Sequence, residues 1–364
     1  MKVLMIVTSL NIGGTESYTI SLAQALKSLG VEVGIATTGG PLSAACSRKG
    51  IPLHLIPGRS YSARKVGEAL SKIVSFGRYQ VIHAHDSSAY RALVGLSHFR
   101  KVKSVLTVHG TYHEKGYLKQ AAKLSGHVIT VSPRLSTWVH KAGVPLHKIN
   151  MITNGIDTTY YAPSSQKLKW RKQLNLPLKG KMIAYAGRFS PDKQHIAKMV
   201  ILSSGKVVKI HPSLTTLLVG PGVYGKKLLN IAIQVNQRVG RKAVLVRKAM
   251  EKLRPLYCAA DIVVGTGRVA LEAMSCGKPV VAVGVAGYHG IVNPFNVEKA
   301  IRGNFGDHSS VTKSSIEIIT RDVNFLLAHP QRAAALGQFG RNLVYKRFAV
   351  RRIASQLIQM YSNL

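Results

Sequence analysis

Short apolar segments alternate with stretches of helical periodicity along most of the chain. This alternation is typical of parallel β-sheets that are covered by helices. The apolar runs predict six strands in the first half, at residues 3–8, 31–37, 53–56, 81–84, 104–108 and 128–131. Five more are predicted after Asn154, at residues 182–186, 216–219, 243–246, 262–264 and 280–283. The pattern therefore predicts two sheets, with helices such as residues 16–29 filling the gaps between strands.

The segment 151–165 separates the two series of strands. It contains the turn-forming pair Asn154-Gly155, a proline and small polar residues, which are typical of a linker. At the other end, residues 341–364 precede no further strand, and their apolar positions recur three or four apart, at Val350, Ile353, Leu357 and Tyr361. That spacing predicts a terminal helix. A chain of 364 residues also exceeds the usual size of one hydrophobic core, so two domains are expected.

Composition excludes several classes of protein. Hydrophobic residues make up 46% of the chain, and none of the apolar runs approaches the roughly 18 residues that a membrane-spanning helix needs. Residues 1–10 lack a signal-peptide cleavage site, so they are interpreted as a buried first strand. The three cysteines, Cys46, Cys258 and Cys276, are widely separated, which fits neither a disulfide framework nor a zinc site. We expect a soluble protein of the reducing cytoplasm.

Net charge is the unusual feature of this composition. The chain has 51 Lys and Arg residues against 14 Asp and Glu residues, a formal charge of +37. Such a charge attracts polyanions. Its clusters, at 100–103, 167–181, 238–254 and 341–352, lack the interleaved aromatic residues on which single-stranded bases stack, which argues against nucleic acid. Contact with an anionic lipid or polymer, and a basic surface without a specific partner, both stay open.

The segment 62–76 illustrates the same ambiguity. Its apolar positions form one helical stripe with basic neighbours: the stripe is Val66, Ala69, Leu70, Ile73 and Val74, and the flanks are Arg64, Lys65 and Lys72. This composition fits a helix that lies on an anionic membrane surface. It fits equally well a helix that packs its stripe on the protein core.

Three glycine-containing turns follow predicted strands. Gly13 and Gly14 precede a helix, where they fit either a phosphate-binding loop or a tight connection. Residues 220–225 match G-x-G-x-x-G, but no acidic residue follows the next strand, so only an NADP-type dehydrogenase would fit. The third turn consists of Gly265, Thr266 and Gly267. Its amides could cradle a diphosphate, with Arg268 as a further donor.

Charged and imidazole side chains stand at other strand ends. Arg188 and Lys193 follow the strand 182–186 and suit an anionic ligand, or belong to a generally basic surface. His109 follows the strand 104–108, and His83, His85 and Asp86 lie at the end of the strand before it. A catalytic or sugar-binding role fits these positions better than a zinc site, because the spacing is not that of metal ligands. Glu272 has apolar neighbours on its predicted helix, so we expect it to be buried or partnered.

In this order, the motifs resemble those of family 4 of the retaining glycosyltransferases. The resemblance covers nearly the whole chain. It rests on Gly13-Gly14, Thr107-Val108-His109-Gly110, Asn154-Gly155-Ile156-Asp157, Gly187-Arg188 through Lys193, Leu218-Val219-Gly220-Pro221-Gly222, Ala259-Ala260-Asp261 and residues 272–280.

The resemblance implies an α/β protein of the GT-B fold, with two Rossmann-like domains whose parallel sheets face each other across a cleft. Residues 1–155 would bind the acceptor, 156–340 would bind the nucleotide sugar, and 341–364 would cross back to the first domain. By analogy, Arg188 and Lys193 bind the donor phosphates, Glu272 the ribose, and His109 the donor sugar. The diphosphate and sugar would contact Gly265, Thr266, Gly267, Arg268 and Val269.

The implied reaction is metal-independent transfer of a sugar, with UDP as the expected donor nucleotide, to a lipid or surface polymer at the inner face of the membrane. No cofactor besides the donor substrate is expected, and the chain has no D-x-D carboxylate pair to hold a metal.

The sequence departs from the family at two places. Val264 stands where the family has a glutamate that contacts the donor sugar, and residues 286–290 replace a family G-G-x-x-E stretch. These departures leave the donor sugar open. They also leave open two other functions: a GT-B chain that binds nucleotides or glycans without turnover, and a nucleic-acid-binding protein.

Overall fold

A computed structural model describes residues 1–364 and divides them into two units. The first unit contains Met1–Asp157 together with Phe348–Leu364, and the second contains Thr158–Arg347. Each unit is built on one sheet, with seven strands in the first and six in the second. The prediction of two sheets is therefore confirmed.

The sheet of the first unit is entirely parallel, with strand order β3-β2-β1-β4-β5-β6-β7. The interior strand β1 is buried, which confirms that the first residues form a strand. Parallel strands are covered on both faces by helices, which explains why their sequences are nearly continuous apolar runs. The strands are β1 (Lys2–Ile6), β2 (Glu32–Thr37), β3 (Leu53–Leu55), β4 (Val81–Ala84), β5 (Lys103–Val108), β6 (His127–Thr130) and β7 (Ile149–Met151).

Six helices connect these strands. Three of them begin with a side chain that accepts a hydrogen bond from the first turn, which satisfies one otherwise unpaired amide: Ser62, Asp86 and Ser132. The helices are α1 (Gly14–Ser28), α2 (Ser43–Arg48), α3 (Ala63–Gly77), α4 (Ser87–Leu96), α5 (Lys115–Leu124) and α6 (Pro133–Lys141).

The sheet of the second unit has the order β10-β9-β8-β11-β12-β13, and only its last strand is antiparallel. Its strands are β8 (Met182–Ala186), β9 (Thr215–Val219), β10 (Val244–Arg247), β11 (Ile262–Gly265), β12 (Val280–Gly284) and β13 (Gly287–Ile291). Its helices are α7 (Lys167–Gln173), α8 (Gln194–Ile210), α9 (Gly225–Arg238), α10 (Arg254–Ala259), α11 (Gly267–Ser275), α12 (Val297–Arg302), α13 (Ile316–Ala328) and α14 (Pro330–Arg347).

The last helix, α15 (Val350–Ser362), belongs to the first unit. The four apolar residues that predicted it are buried in the core of that unit, where α15 packs on α1. Main-chain hydrogen bonds fix the start of the helix, because Ile156 N donates to Phe348 O and Val350 N donates to Ile156 O. Gly155 has no side chain at this crossing, where a β-carbon would lie 2.7 Å from the Cα of Val350.

The unit boundaries differ from the predicted ones at both ends of the second unit. Residues 156 and 157 belong to the first unit, because Ile156 pairs with Ala349. Residues 341–347 are the end of α14 and belong to the second unit, where Arg341 donates to the carbonyl oxygens of Thr158, Tyr161 and Ser275. The segment that returns to the first unit therefore starts at residue 348 rather than 341.

The apolar stripe of α3 faces the core. Val66, Leu70 and Val74 are buried, and α3 packs on α4. The membrane interpretation of this stripe is therefore wrong, since the apolar side chains already have protein neighbours. Arg64, Lys65 and Lys72 remain exposed. No helix in the structure is long and apolar enough to span a bilayer.

Candidate functional site

Both sheets contain a topological switch point. In the first unit the order β3-β2-β1-β4-β5 places β1 beside β4. In the second unit the equivalent order β10-β9-β8-β11-β12 places β8 beside β11. At such a point the connections leave in opposite directions, and the carboxyl ends of the two central strands open a crevice where ligands bind in α/β proteins. The loops after β1, β4, β8 and β11 are therefore the candidate ligand-binding segments.

The loop after β8 carries Arg188 and Lys193 in different electrostatic states. The Arg188 side chain is 57% exposed, and its guanidinium lies 3.9 Å from Asp192, too far for a strong pair. Lys193, by contrast, is largely buried, and its ammonium lies 2.7 Å from Oδ2 of Asp307. Arg188 is thus the cation that is open to an incoming anion, whereas Lys193 already has a carboxylate partner.

The turn after β11 leads directly into α11. Thr266 occupies the N-cap position, but its hydroxyl donates to the carbonyl oxygens of Asn304 and Phe305, at 3.1 and 2.9 Å. No side chain therefore caps the first turn of α11. Gly267 adopts φ +52, a conformation that favours glycine. Uncapped amides at the positive end of a helix are able to bind an anion, which is the basis of the predicted diphosphate site at this turn.

Glu272 is buried within α11 and has protein partners, which confirms that expectation. Its Oε1 lies 2.7 Å from Nε of Arg268, and its Oε2 accepts a hydrogen bond from the Tyr257 hydroxyl at 3.0 Å. Only 12% of the Arg268 side chain and 3% of the Glu272 side chain are exposed. Burial raises the pKa of Glu272 above its ordinary value, even though Arg268 acts in the opposite direction. Arg268 is therefore engaged by Glu272 in this structure.

In the first unit, Asp86 joins the loops after β1 and β4. Its carboxylate accepts hydrogen bonds from the amide and the hydroxyl of Thr8, at 2.6 and 2.5 Å, and from the amide of Ala89, at 2.9 Å. Gly13 precedes α1 in extended conformation, and a side chain there would collide with the carboxylate of Glu16. An acid of the chain itself therefore lies beside the amino end of α1.

Histidines gather at the ends of β4 and β5. His83 is held on both sides, by Tyr361 and Thr107, at 2.6 Å each. His85 Nδ1 lies 3.4 Å from Nε2 of His109, and the ring of Tyr18 packs edge-on against both. Burial and the neighbouring His109 lower the pKa of His83 to about 3, and burial with His83 lowers the pKa of His85 well below its ordinary value.

The imidazoles of His83 and His85 are therefore neutral at pH 7. They can supply hydrogen bonds at this edge of the sheet, but no positive charge.

The glycine-rich loop after β9 packs against the loop after β8. A β-carbon at Gly220 would collide with the carbonyl of Gly187, and one at Gly222 with the carbonyl of Phe189. The amide of Phe189 donates to the carbonyl of Pro221 at 2.6 Å. Gly220 and Gly222 permit a close approach of two backbones, which accounts for the first two glycines of the G-x-G-x-x-G pattern without a dinucleotide.

Comparison with known proteins agrees with this geometry. Residues 12–160 match the family described as Glycosyltransferase Family 4, and residues 166–343 match Glycosyl transferases group 1. An uncharacterised glycosyltransferase of Methanocaldococcus jannaschii is 26% identical over 316 residues, which cover 77% of this chain and 79% of the relative. A D-inositol 3-phosphate glycosyltransferase of Stackebrandtia nassauensis is 24% identical over 341 residues, covering 80% and 76%.

The fold also matches solved structures. HepE of Anabaena, crystallised in complex with UDP and glucose, superposes over the full length of both chains with a TM-score of 0.78 at 21% identity. This chain is a family 4-like glycosyltransferase with the GT-B fold. The dehydrogenase interpretation of the 220–225 loop is thereby set aside.

The sequence identified most, but not all, of the polar groups at the two crevices of this glycosyltransferase. It located Arg188, Lys193 and Glu272, and it did not foresee that Tyr257 would hold Glu272. It also missed Asp307, which the structure brings to Lys193 from a turn 114 positions away. One signal in the sequence could have pointed to Asp307: the chain has only 14 acidic residues, so each of them is a candidate for a specific role. Val264 is fully buried in β11 and offers no polar group.

Proposed function

We propose that this glycosyltransferase moves a hexose from a nucleotide sugar, with UDP as the nucleotide, to a lipid-linked or polymeric acceptor. We also propose that it retains the configuration of the anomeric carbon. The observation that carries the proposal is the switch point of the second unit. There an exposed Arg188 follows β8, and an uncapped helix preceded by a glycine turn follows the adjacent strand β11. The complex of HepE with UDP and glucose supports the choice of nucleotide.

The chemistry follows from where charge develops. When the glycosidic bond to the diphosphate breaks, negative charge grows on the leaving phosphate oxygens, and fixed donors beside them lower the barrier. Arg188 would supply a guanidinium, Lys193 an ammonium, and α11 its free amides. With cations and amides in this role, a metal ion is not required, and we propose a metal-independent reaction.

Further roles follow the resemblance to the family. We propose that Glu272 accepts hydrogen bonds from the ribose and that the main chain from Gly265 to Val269 contacts the diphosphate and sugar. To do so, Glu272 must share its carboxylate with Arg268 and Tyr257, which a carboxylate with about four acceptor sites can do. We propose the donor sugar as the ligand of His109, and the donor as the ligand of Gly13 and Gly14.

For the acceptor, we propose a site at an anionic membrane surface on the cytoplasmic side. The stripe of α3 is buried, so another surface must make the contact. Phe76 is 89% exposed at the end of α3 and Phe99 is 41% exposed after α4. A hydrogen bond of 2.6 Å from Arg100 to Ser75 joins these two ends. Together with the exposed Arg78 and Lys101 they form what we call the apolar–basic edge: Phe76, Arg78, Phe99, Arg100 and Lys101.

The donor is tested by thermal shift and calorimetry with UDP, UDP-glucose, UDP-N-acetylglucosamine and GDP-mannose, each with Mg²⁺ and with EDTA. A ligand at a hundredfold excess over its dissociation constant stabilises the protein by about 2.7 kcal/mol. We expect a UDP-sugar to bind in EDTA as well as in Mg²⁺, and the anomeric configuration of the product to match that of the donor. Absence of binding by all four ligands would refute the proposed function.

A further inference from the structure

The Lys193–Asp307 pair does not fit a site that binds phosphate alone. The ammonium of Lys193 lies 2.7 Å from Oδ2 of Asp307, and the two side chains keep 15% and 17% of their surface exposed. A carboxylate in this place neutralises the cation and repels a diphosphate, and both effects are strong where water is partly excluded. Binding of the diphosphate therefore gives no reason for Asp307 to be there.

The turn that carries Asp307 is held in an unfavourable conformation. Asn304, Phe305 and Gly306 have φ values of 48, 56 and 99, and Phe305 is buried with 2% of its surface exposed. A bulky residue in the left-handed region is a steric outlier that persists only when its surroundings enforce it. The chain thus maintains strain immediately before Asp307.

Contacts with the glycine turn enforce this position. The hydroxyl of Thr266 donates to the carbonyl oxygens of Asn304 and Phe305. The amide of Ala286 donates to the carbonyl oxygen of Gly306 at 2.8 Å. A β-carbon at Gly267 would lie 3.6 Å from Oδ2 of Asp307. The carboxylate therefore lies next to the first residue of α11, beside the turn that we propose for the diphosphate and sugar.

The pair also keeps unused hydrogen-bonding capacity. An ammonium has three donors, so Lys193 can hold Asp307 and a phosphate oxygen at the same time. A carboxylate has about four acceptor sites, and Oδ1 of Asp307 is buried without a hydrogen-bond partner. Buried polar atoms nearly always have a partner, so this acceptor calls for a donor from outside the chain, a role that a ligand hydroxyl can fill.

We propose that Asp307 recognises the sugar of the donor. Its carboxylate accepts a hydrogen bond from a sugar hydroxyl while Lys193 bridges it to the diphosphate. The repulsion that Asp307 exerts on a bare nucleoside diphosphate then becomes useful, because it favours the intact nucleotide sugar over the product. This inference rests on the proposed function and adds to it the residue that determines sugar specificity.

The test compares two ligands in wild-type protein and in Asp307→Asn. Asparagine has the same shape, keeps an acceptor for Lys193 and removes the charge. Dissociation constants for UDP and for the UDP-sugar that stabilises the wild type most are measured by calorimetry, in EDTA. We expect UDP to bind as well or more tightly, and the UDP-sugar to bind more weakly relative to it. The ratio of the two constants should change by about tenfold to a hundredfold, the usual effect of a hydrogen bond to a charged group.

Glu317→Gln is the matched control. Glu317 is an exposed carboxylate of the same unit and pairs with Lys206 at 2.9 Å, so its change alters the net charge equally without touching the turn. Monodeoxy analogues of the UDP-sugar give a second measurement, whose first part uses the wild type alone. Loss of one particular hydroxyl should weaken binding to the wild type, and the same loss should have little effect on binding to Asp307→Asn.

The outcomes separate this inference from the proposed function. If the wild type binds neither UDP nor any UDP-sugar, the proposed function is wrong, and the inferred role of Asp307 is refuted together with it. If the wild type binds both, but Asp307→Asn weakens both equally, Asp307 only holds Lys193 in place and the inference alone is refuted. A change in the ratio that Glu317→Gln reproduces would also refute it, because net charge would then be the cause.

Discussion

Replacing Glu272 by alanine should destabilise the second unit strongly, because the change removes the carboxylate with which the buried guanidinium of Arg268 is paired. Burial raises the pKa of Glu272 while the charge of Arg268 acts to lower it, so loss of hydration opposes the attraction between the two side chains. A buried ion pair of this kind is a weak source of stability as a whole. Breaking it is nevertheless expensive, since the guanidinium cannot return to water.

The magnitude follows from this burial. Removing one member of a buried ion pair typically costs about 3–5 kcal/mol, whereas replacing both members by apolar residues of similar volume is often neutral or stabilising. In a unit of this size each kcal/mol lowers the melting temperature by about 2–4 °C. Glu272→Ala should therefore lower the melting temperature by about 6–20 °C, and Glu272→Leu combined with Arg268→Met should restore most of that loss.

Differential scanning calorimetry of the full chain measures both variants. The double variant separates stability from function, because it should melt close to the wild type and yet bind UDP poorly for lack of the carboxylate. A loss below about 1 kcal/mol in Glu272→Ala would refute the reasoning, since Arg268 would then have found water or another partner. The single changes Glu272→Leu and Arg268→Met complete a double-mutant cycle with the double variant. If their effects on the unfolding free energy were additive, the reasoning would be refuted as well, because charges in contact must be coupled.

Three other predictions concern the two crevices and the surface. Arg188→Ala should reduce kcat by about a hundredfold to a thousandfold in a donor-turnover assay, the usual effect of losing one donor to the developing charge. The pKa of His83 is about 3 when folded, below its unfolded value, so lowering the pH from 6.5 to 5 should remove about 1.6 kcal/mol of the unfolding free energy. In urea titrations, His83→Gln should flatten that dependence. Phe76→Ser combined with Arg100→Glu should release the protein from phosphatidylglycerol vesicles. Equal binding of the wild type to neutral and to phosphatidylglycerol vesicles would refute the proposed contact with an anionic membrane.

The sequence predicted the parallel strands because burial on both faces leaves a local trace. All eleven predicted strands are present. Each is a run of apolar residues that is too short for a typical buried helix, and this shortness is what identifies it as a strand. The two strands it missed, β7 and β13, have no such trace. The strand β13 contains Gly287 and Gly290 and forms by pairing with β12, so its structure comes from a neighbour rather than from its own side chains.

The site was predictable only where one segment carries both the turn and the charge. Arg188 and the glycine turn after β11 each follow a strand directly, which gives the position at the sheet edge. Asp307 could not be located in this way, because its place depends on a strained turn and on Thr266, far away in the sequence. The stripe of α3 shows the opposite limit. Amphipathicity reveals that a face needs an apolar neighbour, but not whether protein or lipid provides it.

Charge acts in this enzyme at two ranges. The excess of 51 basic over 14 acidic residues makes a field that attracts any anion, whether nucleotide, lipid or polymer, and salt screens it over about 8 Å at physiological ionic strength. The partly buried carboxylates act over a single contact, where salt has little effect. Asp307 beside Lys193 is the clearest case. The basic surface therefore raises the local concentration of anionic substrates without selecting among them, and selection requires the few acids that the sequence places against its own cations.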